Sequence, residues 1–141
     1  MIRTISDDAW RQYKTLLPQT RELYVPPLPT NLPYQGKVEG DFDYVLPDEE
    51  LGRLREWLQS RGEESVYYFK TEIIDGEAAN FEVETAELTN ENLAELDVHG
   101  ENVIVGKDFT WAVFVDHEGA FHVSGPEELM RKLSLGSNLV Q

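Results

Sequence analysis

Residues 111–115 have the sequence WAVFV and carry the strongest signal for the fold. All five side chains are apolar, so both faces of an extended segment would be buried, as they are in the central strand of a sheet. An apolar segment at 103–105 leads into a turn at 106–108, and a hairpin loop at 116–119 leads into a return strand at 120–123. This part of the chain therefore predicts a compact antiparallel β unit in which 111–115 is internal.

The rest of the chain adds two strands and three helices to this unit. Residues 66–71 and 81–85 have the composition and the alternation of strands. Helical spacing of apolar residues predicts helices over 7–17, 48–61 and 126–133. We therefore predict an α+β fold in which a mainly antiparallel sheet of about four or five strands packs with N-terminal, middle and C-terminal helices.

Helix ends and one uncertain segment complete this assignment. Ser6 and Asp48 are suited to cap the first and second helices, and Gly62 is placed to end the second in the left-handed conformation. Glu49 and Arg53 are spaced as an i,i+4 ion pair. Residues 89–97 fit either a short helix or a loop. The buried stripe of the second helix is predicted to consist of Leu51, Leu54, Trp57 and Leu58.

A chain of 141 residues has the length of a single domain, so residues 1–141 are predicted to form one. Residues 18–34 are rich in proline and cannot form a helix interior or a central strand. The sequence PPLP at 26–29 has the spacing of a polyproline ligand. The alternative is an extended arm that packs its many apolar side chains on the domain, and the composition favours this arm.

Composition limits the cellular compartments that suit this protein and the kinds of site that it can form. The chain has no cysteine, which excludes disulfides, thiolate zinc sites and cysteine nucleophiles. The first eight residues lack the apolar run of a signal peptide, and no apolar run is long enough to span a membrane. We therefore expect a cytoplasmic protein of bacterial type.

Net charge is the most unusual property of the sequence, at −15. Residues 1–37 hold five basic and three acidic residues, so residues 38–141 carry −17. Such a field repels nucleic acid and anionic membranes and attracts a basic protein partner, although acidic surfaces also serve solubility alone. No Lys or Arg lies between Lys70 and Lys107, a gap that contains Glu72, Asp75, Glu77, Glu82, Glu84, Glu87, Glu91, Glu95, Asp97 and Glu101.

Sequence motifs for catalysis and cofactors are missing. The chain has no Gly-x-Ser-x-Gly elbow, no Gly-x-Gly-x-x-Gly or phosphate-binding loop, and no His-Glu-x-x-His or EF-hand spacing. We therefore expect no cofactor. One weak metal-binding pattern is the alternation of Asp97, His99 and Glu101, which would share one side of an extended segment. An exposed connection into the strand at 103 explains the same residues.

The second weak pattern involves the two remaining histidines. A hairpin over 111–123 would bring His117 and His122 fairly close, and the acids at 116 and 118 would raise their pKa values. Such a group could bind a metal or act in catalysis. Hairpin tips are usually polar because they face water, and the alternation with Phe121 and Val123 places His122 on a solvent face.

Residues 100–119, with the sequence GENVIVGKDFTWAVFVDHEG, resemble the C-terminal part of small bacterial domains of uncharacterised or immunity-protein type. The resemblance covers roughly the last 35 residues. Immunity proteins neutralise a toxin by binding it, so the resemblance implies a binding role and assigns no site residues.

The function predicted from these patterns is an acidic protein-interaction module, such as an immunity or inhibitor protein, that binds a basic partner through the ten carboxylates of the gap. A metal-dependent enzyme or metal-binding protein that uses His117, His122 and the neighbouring acids is the alternative. A structural or oligomerising domain, in which the proline-rich arm docks on a second copy, is the second alternative. The sequence favours binding over catalysis.

Overall fold

A computed structural model describes residues 2–17, 28–29, 32, 34–39, 46–70, 80–96, 102–115, 120–133 and 139–140. The described helices are α1 (Asp8–Lys14), α2 (Asp48–Ser60), α3 (Asn90–Ala94) and α4 (Glu127–Lys132), with a 3₁₀ turn at Thr85–Glu87. The described strands are β1 (Ile2–Thr4), β2 (Tyr34–Glu39), β3 (Ser65–Lys70), β4 (Asn80–Glu84), β5 (Asn102–Gly106), β6 (Ala112–Val115), β7 (Ala120–Gly125) and β8 (Leu139–Val140).

These strands form one sheet in the order β1-β4-β3-β5-β6-β7-β2-β8, and each described pairing is antiparallel. β6 lies between β5 and β7, where Val113 is opposite both Ile104 and Val123. The predicted α+β class, the antiparallel sheet and the internal position of 111–115 are therefore confirmed. The sheet has more strands than the four or five expected, because β1, β2 and β8 join it.

Two predicted helix caps are wrong by one residue. α1 spans Asp8–Lys14, so Asp7 rather than Ser6 is its N-cap, and the Ser6 hydroxyl accepts only a long 3.4 Å bond from the Asp8 N–H. α2 begins at Asp48 itself after Pro47, and the Asp48 carboxylate accepts a bond from the Asn90 side chain instead of capping the helix. The ambiguous segment at 89–97 contains α3, which Thr89 caps through its hydroxyl.

The first face of the sheet holds the larger core cluster. α2 and α4 cover this face, and the predicted stripe on α2 and the predicted Glu49–Arg53 pair are both confirmed. Trp57 packs edge-on against Trp111 at 5.8 Å between ring centroids, and both rings are buried. The strands contribute Val66, Tyr68, Phe81, Val83, Ile104, Val113, Val115, Phe121 and Val123 to this cluster, and Trp111 joins it from the position just before β6.

The second face of the sheet carries a smaller cluster under α1. Strand side chains on this face alternate with those of the first, and Tyr13 from α1 is fully buried against them. Leu28 is buried in the same cluster, and the buried Ser124 hydroxyl donates a 3.4 Å bond to the Pro29 carbonyl. These contacts favour an arm that packs on its own sheet over an exposed polyproline ligand. The other prolines of the 18–34 segment lie outside the described residues.

The turn between β5 and β6 contains a strained residue. Phe109 has a φ of +60°, a conformation that a bulky side chain seldom adopts. Its N–H donates to the Gly106 carbonyl at 2.9 Å, while the Asp108 carboxylate accepts from the Thr110 N–H at 3.2 Å. The left-handed backbone conformation costs a residue other than glycine about 1 kcal/mol of stability, so other contacts must hold Phe109 in place.

Candidate functional site

An open groove of about 680 Å³ lies where α2 ends, beside the start of β3, the end of β4 and the β5–β6 turn. We call it the acidic groove, because its lining carries four carboxylates and one ammonium group. It is lined by Gln59, Gly62, Glu63, Glu64, Ser65, Glu82, Glu84, Thr85, Ala86 and Lys107.

The end of α2 builds one wall of the acidic groove. Gly62 has a φ of +73°, as the sequence predicts, which lets the chain turn sharply. The Glu63 N–H donates to the Leu58 carbonyl at 3.0 Å, and the Gly62 N–H donates to the Gln59 carbonyl at 3.1 Å. This pair of bonds is a Schellman motif, which closes the helix and leads directly into β3. Glu63 and Glu64 therefore lie at the rim of the groove.

Glu63 is fixed in this wall by the core. The buried Trp111 donates from Nε1 to Glu63 Oε1 at 3.2 Å, and Arg61 Nε lies 3.1 Å from Oε2. Oε2 is buried and accepts no aligned hydrogen bond, so Arg61 neutralises it as an ion pair only. The Arg61 guanidinium also lies 4.4 Å from the centroid of the Trp57 ring. Glu63 thus connects the groove rigidly to the tryptophan pair of the core.

Glu82 on β4 is held by three neighbours. Arg3 of β1 donates to Oε1 from Nη2 at 2.5 Å and from Nε at 3.2 Å. Oε2 accepts from the Ser65 hydroxyl at 2.9 Å and from Lys107 Nζ at 3.0 Å. The hydrogen bonds from Arg3, with those from Lys107 and Ser65, lower the pKa of Glu82 to about 2 against the opposing effect of burial. Glu82 is therefore an ionised carboxylate whose charge is already met within the chain.

Ser65, Lys107 and Glu82 together resemble the components of a hydrolytic site, since Lys107 Nζ also lies 3.3 Å from the Ser65 hydroxyl. A serine nucleophile needs a neighbouring group that takes its proton. A carboxylate with a pKa of about 2 is a very weak base, and an ammonium group paired with a carboxylate donates rather than accepts. The geometry therefore suits a fixed polar surface better than an activated serine.

Two of the ten acids singled out in the sequence line the acidic groove. Glu82 and Glu84 do so from β4, while Glu87 lies in the 3₁₀ turn. Glu91 on α3 and Glu95 just after it are exposed. The remaining five, which lie outside the described residues, are Glu72, Asp75, Glu77, Asp97 and Glu101.

Sequence reasoning missed Glu63 and Glu64, because they precede the gap between Lys70 and Lys107 on which the charge argument was based. The signal that points to them is the helix-ending Gly62 followed by two acids and a strand. This order places both acids in the short connection between the end of a helix and the start of a strand. Such connections lie at the edge of the sheet, beside the ends of neighbouring strands. Their use in the groove also depends on β3 pairing with β4, which sequence does not reveal.

The histidine predictions fall mostly outside the described residues, which include neither Asp97, His99 and Glu101 nor 116–119. His122 lies on the face of β7 opposite Phe121 and Val123, as the alternation predicts. That face is only partly open, since His122 is half-buried and its ring centroid lies 5.8 Å from that of Phe114. In the described part of the chain, no three His, Asp or Glu side chains are grouped to hold a metal. The metal hypothesis stays a prediction.

No family model matches this chain, and no curated protein or solved structure is significantly similar to it. Among the described helices, none is long and apolar enough to cross a bilayer. The groove and the distribution of charge are therefore the features of the chain that bear on its function.

Proposed function

We propose that this chain is a cytoplasmic protein-interaction module that binds a basic protein through the acidic groove, in the manner of an inhibitor or immunity protein. The observation that carries the proposal is the excess of four carboxylates over one ammonium group in the lining of an open groove. The ammonium group of Lys107 is already paired with Glu82. A basic side chain that enters the groove would meet the exposed Glu64 and Glu84, whereas Glu63 is already paired with Arg61.

The proposed ligand groups are arginine or lysine side chains of the partner. The carboxylates come from two different walls, with Glu63 and Glu64 on the α2–β3 side and Glu82 and Glu84 on β4. A long cationic side chain can lie between such walls and pair with more than one of them, and the planar guanidinium of arginine is best suited to carboxylates. Glu63 and Glu82 are already paired within the chain, so Glu64 and Glu84 would make most of the pairing with the partner.

The charge of the whole chain supports the same kind of partner. A net charge of −15 attracts a basic protein over distances longer than a contact, which raises the association rate. The same field repels nucleic acid and anionic membranes, so neither is part of the proposal. Binding of this type weakens as salt is added, since exposed charges are screened beyond about 8 Å at physiological ionic strength.

Charge reversal in the acidic groove tests this proposal. The double variant Glu64→Lys with Glu84→Lys should slow association with a basic protein captured on the immobilised chain by about tenfold or more. A matched control is Glu91→Lys with Glu128→Lys, which alters net charge equally at two exposed positions that do not line the groove. An arginine-rich peptide provides a second, defined probe. Association and dissociation rates are measured by surface plasmon resonance at low and high salt.

The comparison between the two double variants decides the outcome. Slower association in the groove variant than in the control supports a local site at the groove. Equal effects would mean that only the overall charge matters, and the groove would then lose its role. An association rate that is unchanged by both salt and charge reversal would contradict the proposal entirely. The acidic surface would then serve solubility alone.

A further inference from the structure

The acidic groove already holds one cation, the Lys107 ammonium group, which belongs to the chain itself. Lys107 Nζ lies 3.0 Å from Glu82 Oε2 and 3.3 Å from the Ser65 hydroxyl oxygen. The Ser65 hydroxyl donates to the same Oε2 at 2.9 Å, so the three groups form one closed set of contacts. All three residues line the groove. A cation from a binding partner would therefore have to displace Lys107 to reach this position.

The β5–β6 turn holds Lys107 at the groove. Gly106 is the last residue of β5 to pair with β3, so Lys107 follows directly and lies beside Ser65. The turn is closed by the Phe109 N–H, which donates to the Gly106 carbonyl at 2.9 Å. The Phe109 ring also packs against Tyr67, with 6.2 Å between the ring centroids. The position of Lys107 is thus set by the fold and not by a chance surface contact.

Glu82 does not need Lys107 to stay in place. Arg3 of β1 donates to the other oxygen, Oε1, from both Nη2 and Nε. Ser65 donates to Oε2 independently of Lys107. If the ammonium group left, Glu82 would remain an ionised carboxylate with Oε2 beside the Ser65 hydroxyl. The groove would then gain a third carboxylate that can pair with a partner, besides Glu64 and Glu84.

The Lys107 ammonium group can be displaced. The Lys107 side chain is 44 % exposed, so its charge returns to water when another cation takes its place. Ion pairs with an exposed partner contribute little to stability, because both charges are well hydrated when they separate. An arginine is a strong competitor for the position, since its planar guanidinium can pair with a carboxylate through two nitrogens.

We propose that Lys107 is an internal competitor of the partner, whose arginine or lysine takes the position beside Glu82 and Ser65 that the Lys107 ammonium group occupies. This inference rests on the proposed function, because it concerns the same groove. A single basic side chain gains little when it only replaces one cation by another. A partner with several basic groups close together gains the further pairs with Glu64 and Glu84, so Lys107 makes the groove selective for such a partner.

Lys107→Met tests this inference, because it removes the ammonium group and keeps a side chain of similar length. The Kd of a short poly-arginine peptide, measured by isothermal titration calorimetry with the intact chain, should fall about threefold to tenfold. Lys132→Met is the matched control. It makes the same change in net charge and also releases a carboxylate, since Lys132 Nζ lies 2.8 Å from Glu56 Oε2. Neither residue lines the groove, so Kd should fall by less than about twofold.

A double-variant cycle with Glu82→Gln shows where Lys107 acts. If the ammonium group competes for Glu82, Lys107→Met should bring no gain in affinity to a chain that already carries Glu82→Gln. A gain that came from the new methionine side chain or from the lower net charge would persist in that chain. The melting temperature of each variant confirms that the compared proteins are folded, since Glu82→Gln also removes the ion pair with Arg3.

Equal effects of Lys107→Met and Lys132→Met would overturn the inference, and so would a gain that persists with Glu82→Gln. The proposed function would survive both results as long as Glu64→Lys with Glu84→Lys still weakens peptide binding. If the peptide binds neither the wild type nor Lys107→Met, the proposed function fails and the inference fails with it.

Discussion

Glu82 and Glu91 are equivalent in the sequence, because both belong to the gap between Lys70 and Lys107 that contains no basic residue. Their surroundings differ completely. The Glu82 side chain is 14 % exposed and bonded to Arg3, Lys107 and Ser65, whereas Glu91 is exposed on α3. Glu82 thus forms ion pairs within the chain, with Arg3 of β1 and with Lys107 of the β5–β6 turn, and these pairs link both elements to β4. Net charge along a sequence does not distinguish these two roles.

The pH dependence of stability reports on Glu82. Its pKa is about 2 when folded and about 4.3 when unfolded, so the stabilisation is fully present above about pH 4.5 and is lost as pH falls towards 2. A shift of about 2 pKa units corresponds to about 3 kcal/mol, but Arg3 and Lys107 are 64 % and 44 % exposed, and screening reduces this to about 1–2 kcal/mol.

Glu82→Gln should therefore lower the free energy of unfolding by about 1–2 kcal/mol at neutral pH. The difference from the wild type should shrink as pH falls below about 4. Urea unfolding of both proteins between neutral pH and about pH 3 measures it. A difference that stays constant over this range would show that the charge of Glu82 has no part in its contribution.

At the scale of elements, the β5–β6 hairpin carries residues that pack on both faces of the sheet, Trp111 on the first and Phe109 on the second. Gly106 is the last residue of β5, and it lies directly against the buried Trp111, which precedes β6. A Cβ atom at Gly106 would lie 2.3 Å from Trp111 Nε1 and 2.7 Å from Cδ1. The indole ring has little room to move, because Glu63 accepts its N–H and Trp57 packs against it.

Gly106→Ala should therefore destabilise the protein by about 1–3 kcal/mol, as overpacking of a core does. Gly52→Ala is the matched control, because a Cβ atom there meets only the end of the Arg55 side chain at 3.6 Å in the middle of α2. That control should stabilise the protein by about 0.5–1 kcal/mol through helix propensity. Urea midpoints of the two variants test the contrast. Equal midpoints would mean that Trp111 adapts and the hairpin is not tightly packed.

Sequence patterns predicted the elements whose burial is regular and failed where pairing alone defines a strand. α2 and β6 have a clear apolar period, so their existence and buried residues were predictable. β1 has three residues with a mostly exposed pattern, and it is a strand because β4 offers it an edge. β2 follows the proline-rich segment and is a strand through its pairing with β7. Long-range hydrogen bonds of this kind leave no local pattern.

The candidate site follows the same rule. That acids matter was predictable from net charge, and two of the groove carboxylates, Glu82 and Glu84, were in the predicted set. The groove itself depends on the register in which Ser65 lies opposite Glu84 and Tyr67 lies opposite Glu82. That register brings Glu63 and Glu64 beside β4. The two segments are distant in sequence, so composition alone does not predict that they are neighbours.

At the scale of the whole molecule, the charge of −15 opposes folding as well as steering partners. Exposed carboxylates such as Glu91 and Glu128 have no ion pair with another described residue, so they repel their neighbours when the chain is compact. The core under α2 and α4 must outweigh this repulsion. Salt should raise the melting temperature of the protein, because screening reduces the repulsion more in the compact state than in the expanded one.

Charge reversal separates this general repulsion from specific pairs. Glu95→Lys, at the exposed C-cap of α3, should raise the melting temperature at low salt by about a degree or more, because it relieves repulsion and suits a helix end, and the gain should shrink at about 0.5 M salt. Glu82→Lys makes the same change in net charge but places an ammonium group between Arg3 and Lys107, so it should lower the melting temperature at any salt level. Differential scanning calorimetry at two salt concentrations measures both effects. If Glu82→Lys also stabilised the protein, total charge would dominate over the geometry of the individual carboxylates, and neither the fixed Glu82 nor a defined acidic groove would be needed to explain the behaviour of the chain.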